Sequence, residues 1–135
     1  MDFLLVRDIM PTMLDLAGVA HPEQMNGRKV RPMQGKSVLG LFEGTATTPY
    51  AGADRVGYEL FGLKAFFDGD WKILRMPKPF GTGEWELFNV KNDPAELNDP
   101  GKQHPDRRKE MIALWEQYKT DNKVLDFSLD MSGGK

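Results

Sequence analysis

The chain has 135 residues, room for about one domain, and its 40% hydrophobic and 28% charged content is that of a folded globular protein. A formal net charge of −2 gives no electrostatic case for nucleic acid or an acidic lipid surface, and no apolar run approaches the roughly 20 residues that span a bilayer. With no cysteine, disulfides, thiolate metal sites and a cysteine nucleophile are excluded within these residues, and the redox compartment stays open.

Met1 to Val6 is apolar but short and lacks a basic leader, so it is not expected to be a signal peptide. The first expected helix covers Asp8 to Gly18, with Asp8 as its N-terminal cap, Pro11 in its first turn and Gly18 as its stop. Pro11 disfavours helix at Met10, which leaves Pro11 as an alternative start. Ile9, Met10, Met13, Leu14, Leu16 and Ala17 share a side about 160° wide, against about 100° or somewhat more for an ordinary surface helix. Thr12 and Asp15 are expected to face the other way. Such a helix wants cover from more than one direction.

His21 to Lys36 is turn-rich and basic, and Ser37 to Glu43 reads as a short helix capped by Ser37. Gly44 to Asp54 has loop composition and is the expected boundary. From Arg55 the pattern changes to short aromatic and branched runs: Arg55–Leu60, Leu63–Asp68, Trp71–Met76 and Trp85–Val90. Asp68-Gly69 predicts a hairpin between the second and third of them. Short connections require the four strands to be antiparallel. Asn92 to Glu96 looks like a helix start, with Asp93 as cap, Pro94 at the first position and Glu96 closing a capping box; Leu97 to Gly101 stops it almost at once. A final helix from about Pro105 to Asn122 carries Met111, Leu114, Trp115 and Tyr118 on one stripe. The expected fold class is α+β: a four-stranded antiparallel sheet packed against this C-terminal helix. Phe127 and Leu129 add expected contacts, and Ser132 to Lys135 is an expected frayed end.

No constellation of catalytic side chains emerges. Gly35-Lys36-Ser37 is like the end of a phosphate-binding loop, but Val30 stands where that motif needs glycine and no strand leads in. Arg28, Lys29, Arg31 and Lys36 suit an anion, yet a solvated or docking loop explains them without interleaved aromatics. Glu84 and Glu86 share a strand face with nothing converging on them. His21 and His104 each precede proline and lack a serine or a carboxylate orienter. Asp93, Asn98 and Asp99 offer oxygens to calcium in the wrong spacing for an EF-hand, and turns account for them. Trp71, Trp85 and Trp115 are better read as a shared core than as a binding platform.

Taken together, several stretches carry more. Val6-Arg-Asp-Ile-Met-Pro-Thr-Met-Leu-Asp-Leu-Ala-Gly-Val19 resembles a segment of sulfatases written approximately Asp-hydrophobic-x-Pro-Thr-Leu-Leu-Asp-Leu-Ala-Gly-Val. Met33 to Leu39 is similar to their Gly-x-Ser-Leu segment, and Gly57 to Leu74 to their Gly-Asp-Trp/Tyr-Lys hairpin. Glu84 to Asp99 is similar to their Trp-Glu-Leu-Tyr-Asp-Leu-x-x-Asp-Pro-x-Glu signature. The ordered match, about Val6 to Tyr118, resembles the C-terminal region of bacterial arylsulfatases of the alkaline-phosphatase superfamily.

The resemblance implies a parent enzyme that hydrolyses sulfate esters with calcium and a formylglycine made within Cys/Ser-x-Pro-x-Arg. None of Ser37, Ser128 or Ser132 begins such a run, so no catalytic, cofactor-binding or metal-binding residue is transferred to this chain. It further implies that residues 1–54 close the catalytic domain, 55–124 form a C-terminal subdomain and 125–135 a tail. The expected partner is that catalytic domain, with a homodimer of the fragment as another user of the same face. Neither nucleic acid nor membrane is expected, and the protein is expected in solution in a bacterial cytoplasm or periplasm. The alternatives are an autonomous binding or oligomerisation module and the C-terminal part of a phosphonate or phosphodiester hydrolase.

Overall fold

A computed structural model describes residues 4–50 and 55–125, and the chain divides into two units that part between residues 51 and 52. The contacts expected of Phe127 and Leu129, the frayed end and the last residues of the 44–54 loop lie outside the described residues.

In the first unit a 3-10 turn, Val6–Asp8, leads directly into helix α1, Ile9–Leu16. Asp8 stands at the expected N-cap position, but its backbone is already helical and its carboxylate makes no capping bond to α1. Gly18, at φ +64, ends the helix. Its N–H donates to Asp15 O at 3.0 Å and that of Val19 to Leu14 O at 2.9 Å, the two bonds of a Schellman close. The segment expected to be plain turn holds a small hairpin, β1 Gln24–Met25 and β2 Arg28–Lys29. Its tip is Asn26-Gly27 with φ of 51 and 73, a pair suited to a two-residue turn with positive φ at both positions. Helix α2 is shorter than expected, Leu39–Phe42, with Val38 at its N-cap; the Ser37 hydroxyl accepts from Leu39 N–H at 3.3 Å.

The second unit is the expected sheet and helix. Strands β3 Arg55–Leu60, β4 Leu63–Asp68, β5 Trp71–Arg75 and β6 Trp85–Asn89 lie in sequence order, every neighbour antiparallel. β5 and β6 each end one residue before the expected limit. Two-residue turns join β3 to β4 at Phe61-Gly62 and β4 to β5 at Gly69-Asp70. The pleat places Phe66, Ile73 and Leu87 side by side on one face. Against them packs helix α3, Pro105–Asn122, whose Met111 and Trp115 are fully buried, flanked by Leu114 and Tyr118. Each such side chain contributes about 1.5–3 kcal/mol by leaving water. Gly57 marks the closest approach of strand to helix: a Cβ there would sit 2.6 Å from the Tyr118 ring, whose hydroxyl donates to Gly57 O at 2.8 Å. Asp68 adds a polar tie. Its carboxylate accepts from Arg55 at 3.0 Å and from Arg107 of α3 at 2.8 Å, and although burial pushes its pKa up, the two guanidiniums hold it below the usual carboxylate range.

The expected helix start at Asn92–Glu96 is absent. A turn takes its place, with Glu96 at φ 55, and Glu96 does not close a capping box; both its oxygens accept from Lys72 Nζ, at 2.7 and 2.6 Å. Lys72 lies on the sheet face opposite α3 with its ammonium 5.4 Å from the Phe67 ring centroid, so the buried charge is paired rather than stranded. Asp99 then covers part of the outer edge of β6: its Oδ1 accepts from Leu87 N–H at 3.0 Å and from Gly101 N–H at 2.7 Å.

α3 ends on Lys123 in the left-handed region, φ 53, while Val124 N–H donates to Lys119 O at 2.9 Å. This is the geometry that glycine fits without a Cβ penalty. Lys123→Gly is therefore expected to raise stability by about 0.5–1 kcal/mol, read as a higher denaturant midpoint at unchanged slope; a lower midpoint contradicts it.

Candidate functional site

The residues singled out from sequence do not come together. Glu84 lies just outside β6 with its N–H held by Thr82 Oγ1 at 3.1 Å, while Glu86 sits opposite Leu74. His104 occupies the N-cap position of α3 without a side-chain capping bond and meets the Trp71 ring edge-on at 5.3 Å. His21 lines a hollow with Lys29, Val30 and Pro32, beside the exposed hairpin that carries Arg28. Trp71, Trp85 and Trp115 belong to the core around Phe66, as expected. Gly35 is needed for space: a Cβ there would overlap the Arg7 carbonyl, so its glycine serves chain packing.

The best-defined polar cluster was not anticipated. Asp8 is 2% exposed, and its carboxylate accepts from the Tyr50 hydroxyl at 2.6 Å, from Lys36 N–H at 2.9 Å and from Leu5 N–H at 2.8 Å. Burial pushes the Asp8 pKa up, but these three donors outweigh it and hold the acid below its usual range; burial and Asp8 push the Tyr50 phenol up. The Lys36 ammonium and the Arg7 guanidinium lie 5.2 and 5.9 Å from the Tyr50 ring centroid. One turn on, the Thr12 hydroxyl donates to Asp8 O at 2.6 Å and accepts from Val38 N–H at 3.0 Å.

These bonds correct the expectation for Thr12, while Asp15 is exposed as expected and the apolar side is left without cover among the described residues. Thr12, placed on the outer side by hydropathy alone, is buried at 5%, while Ile9, Met10, Met13 and Leu16 are 58–60% exposed. Met13 and Leu16 line an apolar groove of about 300 Å³ with Leu4, Leu5, Val38 and Phe42. A contiguous apolar surface of this kind marks a contact with another surface, whereas scattered exposed residues would not.

Of the oxygens that the sequence offers to metal, one on Asp93 and one on Asp99 take part in turn and strand-edge hydrogen bonds. Asp93 Oδ2 accepts from Asn98 N–H at 2.9 Å and Nδ2 at 3.3 Å, and Asp99 is committed to Leu87 and Gly101. Among the described residues no three His, Asp or Glu gather as a metal group. Among them, too, no helix is long and apolar enough to cross a membrane.

Comparison with known proteins agrees with this picture of a part rather than a whole. The sequence profile of the family described as N-sulphoglucosamine sulphohydrolase, C-terminal, matches residues 1–123. Over 125 residues the chain is 36% identical to an uncharacterized sulfatase of Schizosaccharomyces pombe, covering 92% of this chain and 22% of that protein. It is 27% identical over 125 residues to an N-acetylglucosamine-6-O-sulfatase of Bacteroides thetaiotaomicron, covering 88% of this chain and 22% of that one. A structure solved with its substrate D-glucosamine-2-N,6-O-disulfate superposes with TM-score 0.61 at 25% identity, over 91% of this chain and 25% of the other. The chain thus spans a quarter or less of the length of each of these relatives. A profile match over nearly all its residues, joined to 36% identity with an uncharacterized sulfatase, settles its membership: the chain belongs to the N-sulphoglucosamine sulphohydrolase C-terminal family and corresponds to the C-terminal region of sulfatases.

Proposed function

We propose that the chain serves as the structural C-terminal part of a sulfate-ester hydrolase, docking on a separate catalytic domain through the outer side of α1. The observation that carries this reading is the uncovered apolar side of α1: Thr12 is tied inward while Ile9, Met10, Met13 and Leu16 stay exposed. On this reading residues 1–54 complete the catalytic domain, 55–124 are a C-terminal subdomain and 125–135 a tail. The metal dependence of sulfatases, calcium and a formylglycine nucleophile in our reading, belongs to residues outside this chain, which supplies no catalytic group. The names of the relatives favour sulfated amino sugars as the substrate class. The protein is proposed to work in solution, in a bacterial cytoplasm or periplasm.

The isolated chain is expected to self-associate and bind an apolar dye. Ile9→Glu with Met13→Glu should abolish both, and should cut capture by the co-expressed upstream part of the polypeptide at least about tenfold, since charges at a dry contact are costly. A wild-type chain that is monomeric and dye-silent sinks the docking face. Alone, the chain should not hydrolyse an aryl sulfate even with calcium and a formylglycine-generating enzyme; turnover above blank overturns the assignment.

A further inference from the structure

The hairpin of β1 and β2 carries Asn26-Gly27 at its tip, and Asn26 is the only asparagine of the chain that precedes glycine. We propose that Asn26 is a site of self-modification: its side-chain amide is lost to attack by the Gly27 backbone nitrogen, leaving aspartate and isoaspartate, and the isoaspartate form undoes the hairpin. The reaction needs only water and is independent of what α1 docks on.

Both residues are exposed. The Asn26 side chain has no hydrogen-bond partner among the described residues, and Gly27 N–H is not engaged there in a turn bond. A Cβ placed on Gly27 would meet nothing within 4 Å, so the attacking nitrogen is unscreened on that side. Other asparagines are held. Asn89 Oδ1 accepts from Asn92 N–H at 3.1 Å, Asn98 Nδ2 donates to Asp93 Oδ2 at 3.3 Å and Asn122 Nδ2 donates to Tyr118 O at 2.9 Å. Each of these three also precedes a residue whose side chain crowds the attacking nitrogen. The related turn Asp68-Gly69 differs as well, because Arg55 and Arg107 hold its carboxylate.

The folded turn keeps φ at 51 and 73, and ring closure requires Asn26 to leave that geometry. Leaving it costs little. Two residue pairs make the ladder, both strands are exposed, and one further bond, Val30 N–H to Glu23 O at 2.9 Å, closes its base. In the opened turn the Gly27 nitrogen gives its proton to solvent and bonds to Asn26 Cγ. The Cγ–Nδ2 bond breaks, and ammonia leaves behind a five-membered imide. Water then cleaves the imide at Cγ, giving aspartate, or at the backbone carbonyl carbon, giving isoaspartate with the main chain running through Cβ. Nothing is oxidised or reduced; one water replaces one ammonia. Asp-Gly suits the same turn, so the aspartate form keeps the ladder and sets a carboxylate next to the exposed Arg28 and Lys29. Isoaspartate adds a methylene to the main chain, which a two-residue turn cannot hold in register.

The test is incubation of the 135-residue chain in warm neutral buffer. It is followed by peptide mass mapping, ammonia release and labelling with an isoaspartate-specific carboxyl methyltransferase. A gain of about 1 Da is expected on the peptide that holds Asn26, with equimolar ammonia and both products. The folded chain should react within about thirtyfold of the same chain in urea, because so short a hairpin opens readily. Asn26→Gly keeps a dipeptide suited to the turn and should abolish the gain and the label at this peptide. In amide NMR, Asn26→Asp should keep the Gln24–Lys29 and Met25–Arg28 pairs, while the isoaspartate species loses them with the signals of α3 unmoved. Protection of the folded chain beyond that factor overturns the proposal, and so does aspartate without isoaspartate, which would mean attack by water alone. A gain that persists in Asn26→Gly, or an isoaspartate form with its hairpin intact, overturns it too.

Discussion

Trp115→Ala is expected to lower the melting temperature of the sheet-and-helix unit by roughly 15 °C or more. The indole is fully buried and touches the rings of Phe66, Trp85 and Tyr118, with centroids 6.3, 5.9 and 5.9 Å away. Truncating so large a side chain costs about 3–5 kcal/mol, as lost transfer energy plus an unfilled cavity. A domain of this size loses about 4–8 °C per kcal/mol. Trp115→Phe should cost distinctly less. It keeps most of the ring and removes an indole N–H that has no acceptor among the described residues, a group worth about 1–3 kcal/mol when stranded. Calorimetry on both variants checks this. A fall of under about 4 °C for alanine, or phenylalanine proving the worse of the two, contradicts the packing described.

The second large effect belongs to Asp8. Asp8→Ala leaves the Tyr50 hydroxyl and the amides of Leu5 and Lys36 without their shared acceptor, at a cost of about 2–4 kcal/mol. Hydrogen exchange at the amides of Lys36 and Val38 reads it directly, and protection there should fall by at least about thirtyfold. Asp8→Asn keeps the shape but turns a donor toward one of the three, so an intermediate loss is expected. The pH dependence follows from the lowered pKa. The folded carboxyl titrates below its unfolded value, so its contribution is fully present above about pH 4 and is lost as pH falls through the folded pKa. Wild type should lose protection at Lys36 in that acid range, while Asp8→Ala should show no such step. Equal acid profiles would refute the role given to the carboxylate.

The sheet and α3 could be read from sequence because their information is local. Period-two alternation from Arg55 onward, two-residue turns containing Gly62 and Gly69, and a Met111–Leu114–Trp115–Tyr118 stripe each specify their own neighbourhood. Where long-range partners decide, local rules gave the wrong answer. Glu96 had the spacing for a capping box with Asp93, but Lys72, 24 residues away, takes its carboxylate. Asp8 had the look of a helix cap, but Lys36 and Tyr50 claim it from 28 and 42 residues on. Thr12 was assigned outward on hydropathy, which cannot know that Val38 N–H needs its oxygen. The small hairpin at Asn26-Gly27 was missed because Gln24, Met25, Arg28 and Lys29 show no apolar alternation, although the dipeptide itself carried the signal.

A helix whose oily flank stays open has a bearing on biosynthesis. Ribosomes make chains from the amino end, and earlier domains fold first. On the proposed docking to an upstream part of a longer polypeptide, the seat is already synthesised when this piece emerges, and Ile9, Met13 and Leu16 are expected to spend little time in water. Made separately, or on a parent whose seat is damaged, the same residues become a handle for chaperones and proteases. Lesions in the distant seat should therefore register first as a lower amount of protein.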